Sequence, residues 1–138
     1  MRIVLDTNVV VAGLLTPFGP CGQILRMVAS AQITLLVDAR ILAEYEEVLA
    51  RPRFGFDAGA VATLLDFVES SGESVASAPL SVRLPDPDDE PFLEVASVGH
   101  ARALVTGNAV HFPDSACAGV PVVSPAAFIE LFRTGSVG

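Results

Sequence analysis

Apolar positions along this chain fall into two alternating rhythms. Ile3-Val4-Leu5, Ile33 to Val37, Ala103-Leu104-Val105 and Val120 to Val123 are short and almost wholly apolar, the pattern of strands buried on both faces. Between them the period lengthens. Val9 to Leu15 is apolar throughout and predicts a buried helical turn. Gly22 to Ala31 carries Ile24, Leu25 and Val28 at helical spacing, after a Thr16 to Pro20 loop. Ile41 to Ala50 has a stripe of Ile41, Leu42, Tyr45, Val48 and Leu49, and Arg51-Pro52-Arg53 stops it. Ala58 to Ser71 turns Val61, Leu64, Leu65 and Val68 inward, with Gly72 as a stop. A further helix runs from about Asp89 to Gly99, placing Phe92, Leu93, Ala96 and His100 on one face. The last helix opens on Ser124 as cap with Pro125 behind it, and packs through Phe128, Ile129, Leu131 and Phe132. Glu73 to Leu84 carries only a weak strand signal near Ser74–Ala76.

Buried strands separated by helices predict an α/β fold with a parallel sheet covered on both faces and right-handed crossovers. We expect one domain over residues 1–134, with a frayed tail at 135–138. In such sheets ligands bind beyond the carboxyl ends of the strands.

The stretch Leu84-Pro85-Asp86-Pro87-Asp88-Asp89-Glu90-Pro91-Phe92-Leu93-Glu94 breaks the apolar pattern. Pro91 suits the first turn of a helix, Asp88 is an expected N-cap, and the acids suit the positive end of the helix dipole. Asp89 precedes Phe92, Leu93 and Ala96 by three, four and seven residues, so it points toward the core, where a carboxylate needs a partner. Positive charge is scarce. The eight basic residues are all arginines (2, 26, 40, 51, 53, 83, 102 and 133). Without lysine there is no phosphate-binding P-loop, Schiff-base or Ser–Lys chemistry. A net charge of -8 argues against an extensive nucleic-acid surface, unless cations neutralise the clustered acids. Cys21 and Cys117 lack metal or redox spacing and read as structural. The acid at position 6 comes too early for a signal peptide, and no apolar run approaches the roughly 18 residues of a membrane span. The expectation is a cytoplasmic, reduced protein with no membrane partner.

Asp6 ends the first strand, Asn108 closes the strand after the acidic helix, Asp89 opens that helix, and Glu44 lies near the start of the helix after the second strand. These residues converge on one rim. Oxygen ligands without His or Cys suit Mg²⁺ or Mn²⁺, and such a group can bind and polarise a phosphodiester. Each residue also has a plainer reading. Asp6 could cap the following helix, Glu44 could face solvent, Asp86 and Asp88 could be turn and cap residues, Asn108 a turn residue, and His111 a structural loop histidine.

Ile3 to Val9, Ile41 to Leu49, Asp86 to Glu94 and Val105 to Asn108, in that order, resemble the PIN-domain ribonucleases. Thr106 to Pro113 and Ser124 to Phe128 are similar to segments of the VapC-like toxin branch. The resemblance spans nearly the whole chain. It implies a three-layer α/β/α sandwich around a parallel sheet of about five strands, and Mg²⁺- or Mn²⁺-dependent cleavage of RNA. By position it implies Asp6, Glu44 and Asp89 as metal-binding, catalytic carboxylates. Asp86, Asn108, Thr106, Asn8 and His111 become candidates for support or substrate contact. Many PIN domains carry a fourth Asp where this chain has Asn108, which brings no charge for a second ion. The resemblance also implies a homodimer and a separate antitoxin that blocks the site.

Other readings differ in class. An aspartyl-phosphate phosphatase would also place its nucleophile at the end of the first strand, but wants an Asp where Asn8 stands, and a Lys. Phosphorylated receiver domains want a Lys too. A PIN-like protein- or RNA-binding module with weak or no activity is compatible with Asn108 and the acidic surface, but leaves Asp6, Glu44 and Asp89 without a role.

Overall fold

The computed structural model describes residues 1–117 and 119–135. Five parallel strands form one sheet in the order β3-β2-β1-β4-β5. They are β1 (Arg2–Leu5), β2 (Thr34–Val37), β3 (Glu73–Ser74), β4 (Leu104–Val105) and β5 (Val122–Val123). Six α-helices complete a three-layer α/β sandwich: α1 (Thr7–Leu15), α2 (Pro20–Ala29), α3 (Ala39–Leu49), α4 (Ala58–Ser71), α5 (Glu90–Val98) and α6 (Pro125–Thr134). α2 packs on α1 and α6, α4 packs on α3 and β2, and α5 lies against β1, β2 and β4.

The central strand is the most buried. Ile3, Val4 and Leu5 have no exposed surface, and full burial of such side chains stabilises by about 1.5–3 kcal/mol each. β1 pairs with β2 through Ile3 and Leu35, and with β4 through Leu5 and Val105. The second pairing sets the two chain ends that follow, Asp6 and Thr106, side by side. Tyr45, Phe92 and Phe128 are the largest side chains completely enclosed, and the Tyr45 and Phe92 rings sit 6.3 Å apart. Cys117 is buried, with its thiol near the carbonyls of Phe112 and Pro113, and both cysteines are free.

Helix starts differ from the sequence expectation by a turn or less. α1 begins at Thr7 rather than Val9, and α2 at Pro20 rather than Gly22. α2 presses so close to the preceding loop that a Cβ on Gly22 would stand 2.0 Å from the Pro17 carbonyl oxygen. α3 begins at Ala39 because Asp38 Oδ1 accepts from the Ile41 N–H at 3.0 Å. The predicted cap at Ser124 is present, its hydroxyl accepting from Ala127 N–H at 3.1 Å.

Four expectations are corrected. Asp88 does not cap the acidic helix. The chain forms a 3-10 turn at Pro87–Asp89, and Asp86 Oδ1 takes the Asp88 N–H at 2.9 Å. Capping passes to Asp86, since Pro87 occupies the first position of that turn. His100 does not continue the apolar face: α5 ends at Val98, and His100 is exposed in left-handed backbone at φ 53. Gly99, still in right-handed backbone, is packed where a Cβ would lie 2.8 Å from Leu36 Cδ1 and 2.9 Å from the Val95 carbonyl, and the chain leaves the helix at His100. The strand expected near Ser74–Ala76 falls at Glu73–Ser74, paired with Leu36 and Val37. The last strand covers only the second half of Val120 to Val123. α6 continues through Thr134, and residues 136–138 of the expected tail lie outside the described residues.

No single helix among the described residues is long and apolar enough to cross a membrane. α1 and α2 together have the length and composition, but they turn by 100° and bury Val9, Val10, Ile24 and Val28 in the core.

Candidate active site

Asp6 follows directly on β1 and is 5% exposed. It holds the N-cap position of α1, yet its carboxylate makes no capping bond. Oδ2 instead accepts from Thr106 Oγ1 at 2.7 Å and Asn8 Nδ2 at 3.3 Å. The Thr106 hydroxyl in turn accepts from the Asn108 N–H at 3.0 Å, and Asn8 Oδ1 accepts from the Gly107 N–H at 3.2 Å. This closed circuit ties the carboxyl ends of β1 and β4 together and holds Asp6 in one orientation. Asp6 thus occupies the cap position without making the capping bond, and its carboxylate is bonded across the rim to β4 instead.

Glu44 comes from the middle of α3, half-buried, and accepts a hydrogen bond from Thr7 Oγ1. Its neighbour Tyr45 is enclosed, and its hydroxyl donates to the Leu5 carbonyl at 2.6 Å. That bond fastens α3 to the end of β1 and brings Glu44 over the start of α1.

Asp89 closes the third side. Its side chain is 13% exposed, and Oδ2 is buried without a hydrogen bond. His111 Nδ1 approaches this oxygen to 3.1 Å, an ion-pair distance without hydrogen-bond alignment. Asp86 lines the same cleft while capping the 3-10 turn. Asn108 is exposed, and its side chain caps nothing.

Burial lifts all three carboxyls above their ordinary values. For Asp6, the Thr106 hydrogen bond, the backbone N–H of Thr7 and the charge of His111 oppose the rise, and Asp86 adds to it. For Glu44, the Thr7 hydroxyl opposes it, while Asp6, Asp88 and Asp86 add to it. Asp89 is raised to about 6 by desolvation first, then by the charges of Asp6 and Asp86, with His111 working the other way. Acids crowded without a cation raise one another in this manner.

Arg40 and Arg83 are engaged with other acids. Arg40 pairs with Asp38 at 2.7 Å and Glu94 at 2.9 Å, and bonds Ser77 at 2.7 Å. Arg83 pairs with Glu90 at 3.2 Å, whose other oxygen accepts from the Leu84 N–H at 3.0 Å. The sequence reading passed over Glu90 and Glu94, both buried. Their i, i+4 spacing in an apolar helix was the available signal. Glu90 fastens the segment before α5 to that helix, Glu94 ties α5 to α3 through Arg40, and neither arginine is left for Asp89.

A cleft of about 440 Å³ opens on the rim, lined by Thr7, Asn8, Glu44, Asp86, Asp88 and Asp89 at one end and by Arg51, Arg53 and Phe54 at the other. A larger cavity, about 630 Å³ between α2 and α6, contains none of these acids. The donor set of the rim is oxygen-rich and anionic, with one buried oxygen lacking a hydrogen bond, which fits a hard divalent cation. Among the described residues no three His, Cys, Asp or Glu groups stand close enough to close directly on one ion. An ion held partly through water, as Mg²⁺ commonly is, suits that spacing.

No curated protein matches the chain. The family model described as PIN domain matches residues 2–109, from the start of β1 to just past Asn108. That span contains the whole acid rim and four of the five strands, and the chain belongs to the PIN-domain family.

Proposed function

We propose that this protein is a divalent-metal-dependent endoribonuclease, acting as the toxin of a toxin–antitoxin pair. PIN-domain membership supports a nuclease generally. The observation that carries the metal-dependent reading is Asp89 Oδ2, buried without a hydrogen bond beside two further carboxylates that burial has also raised. Asp6, Glu44 and Asp89 hold Mg²⁺ or Mn²⁺ in this reading. The bound ion supplies charge to polarise the phosphodiester and to activate water.

The chain's own residues prepare that site. Thr106 and Asn8 orient Asp6, and Thr7 orients Glu44. Tyr45 holds the α3 wall against β1. Asn108 stands where it can contact substrate or an ordered water but adds no charge, which favours one ion over two. His111 adjoins Asp89 at the mouth, half-exposed, and serves as support rather than as the principal acid or base.

The test is cleavage of single-stranded RNA in Mg²⁺, Mn²⁺ or chelator. We expect cleavage only with the ions, and none from Asp6→Asn at equal folded concentration. Persistence in chelator or in Asp6→Asn sinks the mechanism. The toxin role predicts that expression arrests growth of a bacterial host, that Asp6→Asn abolishes the arrest, and that a co-expressed antitoxin relieves it. A homodimer belongs to the same reading and is checked by mass in solution at micromolar concentration.

A non-catalytic RNA- or protein-binding module is the second reading. Asn108 in place of an acid favours it, and metal-independent RNA binding without cleavage would establish it.

A further inference from the structure

The cleft continues well past the acids. Glu44 and Val48 follow one another along one face of α3, and Arg51, just past the end of that helix, continues the same cleft wall. At 1.5 Å per residue the helical part of this wall, from Glu44 to the end of α3, is roughly 7.5 Å long. Beyond it the chain makes a 3-10 turn at Pro52–Phe54, and Arg53 and Phe54 complete that end of the cleft.

Arg53 is unlike its counterparts. Arg2, Arg40, Arg51, Arg83 and Arg133 each pair with an acid. Arg26 donates to the Pro17 carbonyl. Among the described residues only Arg53 and Arg102 have side chains with no carboxylate, carbonyl or hydroxyl partner. Arg102 lies at the opposite, amino-terminal edge of the sheet, beside Arg2 and His100. Arg53 alone combines a free guanidinium with a place in the acid cleft. It is restrained all the same: its guanidinium carbon sits 4.8 Å from the centre of the Phe54 ring. Phe54 is stacked on Phe56, with centroids 5.5 Å apart and planes within 14°. A cation held by an aromatic face keeps its N–H fork available, because the ring takes none of its donors.

We propose that Arg53, restrained by Phe54, is a phosphate-binding residue of an RNA subsite at the far end of the acid cleft. It takes a backbone phosphate further along the strand than the phosphodiester held at the acids. The guanidinium fork matches two phosphate oxygens. The arrangement explains how a chain of net charge -8 holds a polyanion: a bound cation would neutralise one end of the cleft, and an uncommitted arginine anchors the other. Arg51, already bonded twice to Glu47, adds field but fewer free donors. The proposal rests on the nuclease reading, and its test is separable from it.

The probe is a short fluorescein-labelled single-stranded RNA, titrated with the whole chain in Ca²⁺ buffer while salt is varied from about 50 to 200 mM. Arg53→Gln should weaken binding roughly tenfold at the lower salt. It should also make the slope of log affinity against log salt shallower by about 0.7, the loss of one phosphate contact to a single strand. Arg102→Gln should change neither. Phe54→Leu should weaken binding while keeping most of the slope, since the charge remains but its restraint is lost. Melting temperatures of all variants check that the fold is intact. Arg53→Gln with wild-type affinity and slope overturns the subsite, as does a wild-type chain that fails to bind. Cleavage is scored separately in Mn²⁺. A chain that binds with the expected slope but cuts nothing overturns the nuclease reading and leaves the subsite standing.

Discussion

The phenol of Tyr45 donates to the carbonyl of Leu5 at 2.6 Å, with both residues enclosed in the core. Leu5 is the last residue of β1 and Tyr45 adjoins Glu44, so one bond sets the separation of two site acids. Tyr45→Phe keeps the packing but strands a buried carbonyl. It should cost about 1–3 kcal/mol in urea unfolding and loosen metal binding more than an equally destabilising substitution in α6. Equal metal affinity at equal folded concentration would show that Glu44 is positioned by other contacts.

Thr106→Val retains shape and removes the donor to Asp6 Oδ2. Partners that orient a ligand typically cost about 10–100-fold in metal affinity when lost. Titration calorimetry with Mn²⁺ should show a loss in that range. The Asp6 carboxyl should rise further, because the Thr106 bond favours its charged form. An NMR titration of that carboxyl in the metal-free chain reads the shift directly.

The metal-free protein should be more stable at pH 5 than at pH 7. Asp89 is raised to about 6 in the folded state from 3.8. Between those values the folded chain binds the proton and the unfolded chain does not, so stability falls as pH rises through that window. The destabilisation is complete above about 6 and relieved below about 4. Asp89→Asn should flatten the trend. Saturating Mn²⁺ should offset it, adding about 2.7 kcal/mol at a hundredfold excess over Kd. A melting temperature indifferent to Mn²⁺ counts against metal binding.

Asn108→Asp places a fourth carboxylate beside Thr106. Calorimetry should report a second, weaker equivalent of Mn²⁺ where the wild type takes one. His111→Ala should reduce cleavage far less than Asp6→Asn. A His111 variant as inactive as Asp6→Asn would make His111 a general acid or base.

Arg40 binds two acids, one of them the buried Glu94. Arg40→Ala leaves Glu94 unpaired. Because Arg40 is itself half-exposed and water can reach the gap, we expect a loss of about 1–3 kcal/mol rather than the larger cost of a fully buried charge. Adding Glu94→Gln should recover part of it, and a double-mutant cycle in urea measures how much.

The sequence by itself determined the layer architecture and the identity of the rim. Ile3-Val4-Leu5 can be satisfied only by burial on both faces, and the helical stripes of α3, α4 and α6 leave one way to cover them. The end of a buried strand is a stated place, so Asp6 and Thr106 were legible as neighbours of a site. Asp89 was legible too, because its spacing from Phe92 and Ala96 sends it inward whatever the neighbours are. The capping network was not. Asp86 rather than Asp88 takes the turn, and Asp38 starts α3, because several acids compete for the same few N–H groups and only backbone geometry decides between them. The pairings of Arg40 with Glu94 and Arg83 with Glu90 were equally hidden. Charge scarcity can be counted along a chain, but which cation is spent on which acid depends on contacts between residues up to 71 positions apart. The same holds for Arg53. In sequence it is one of eight arginines, and only packing against Phe54 at the end of the acid cleft distinguishes it from the rest.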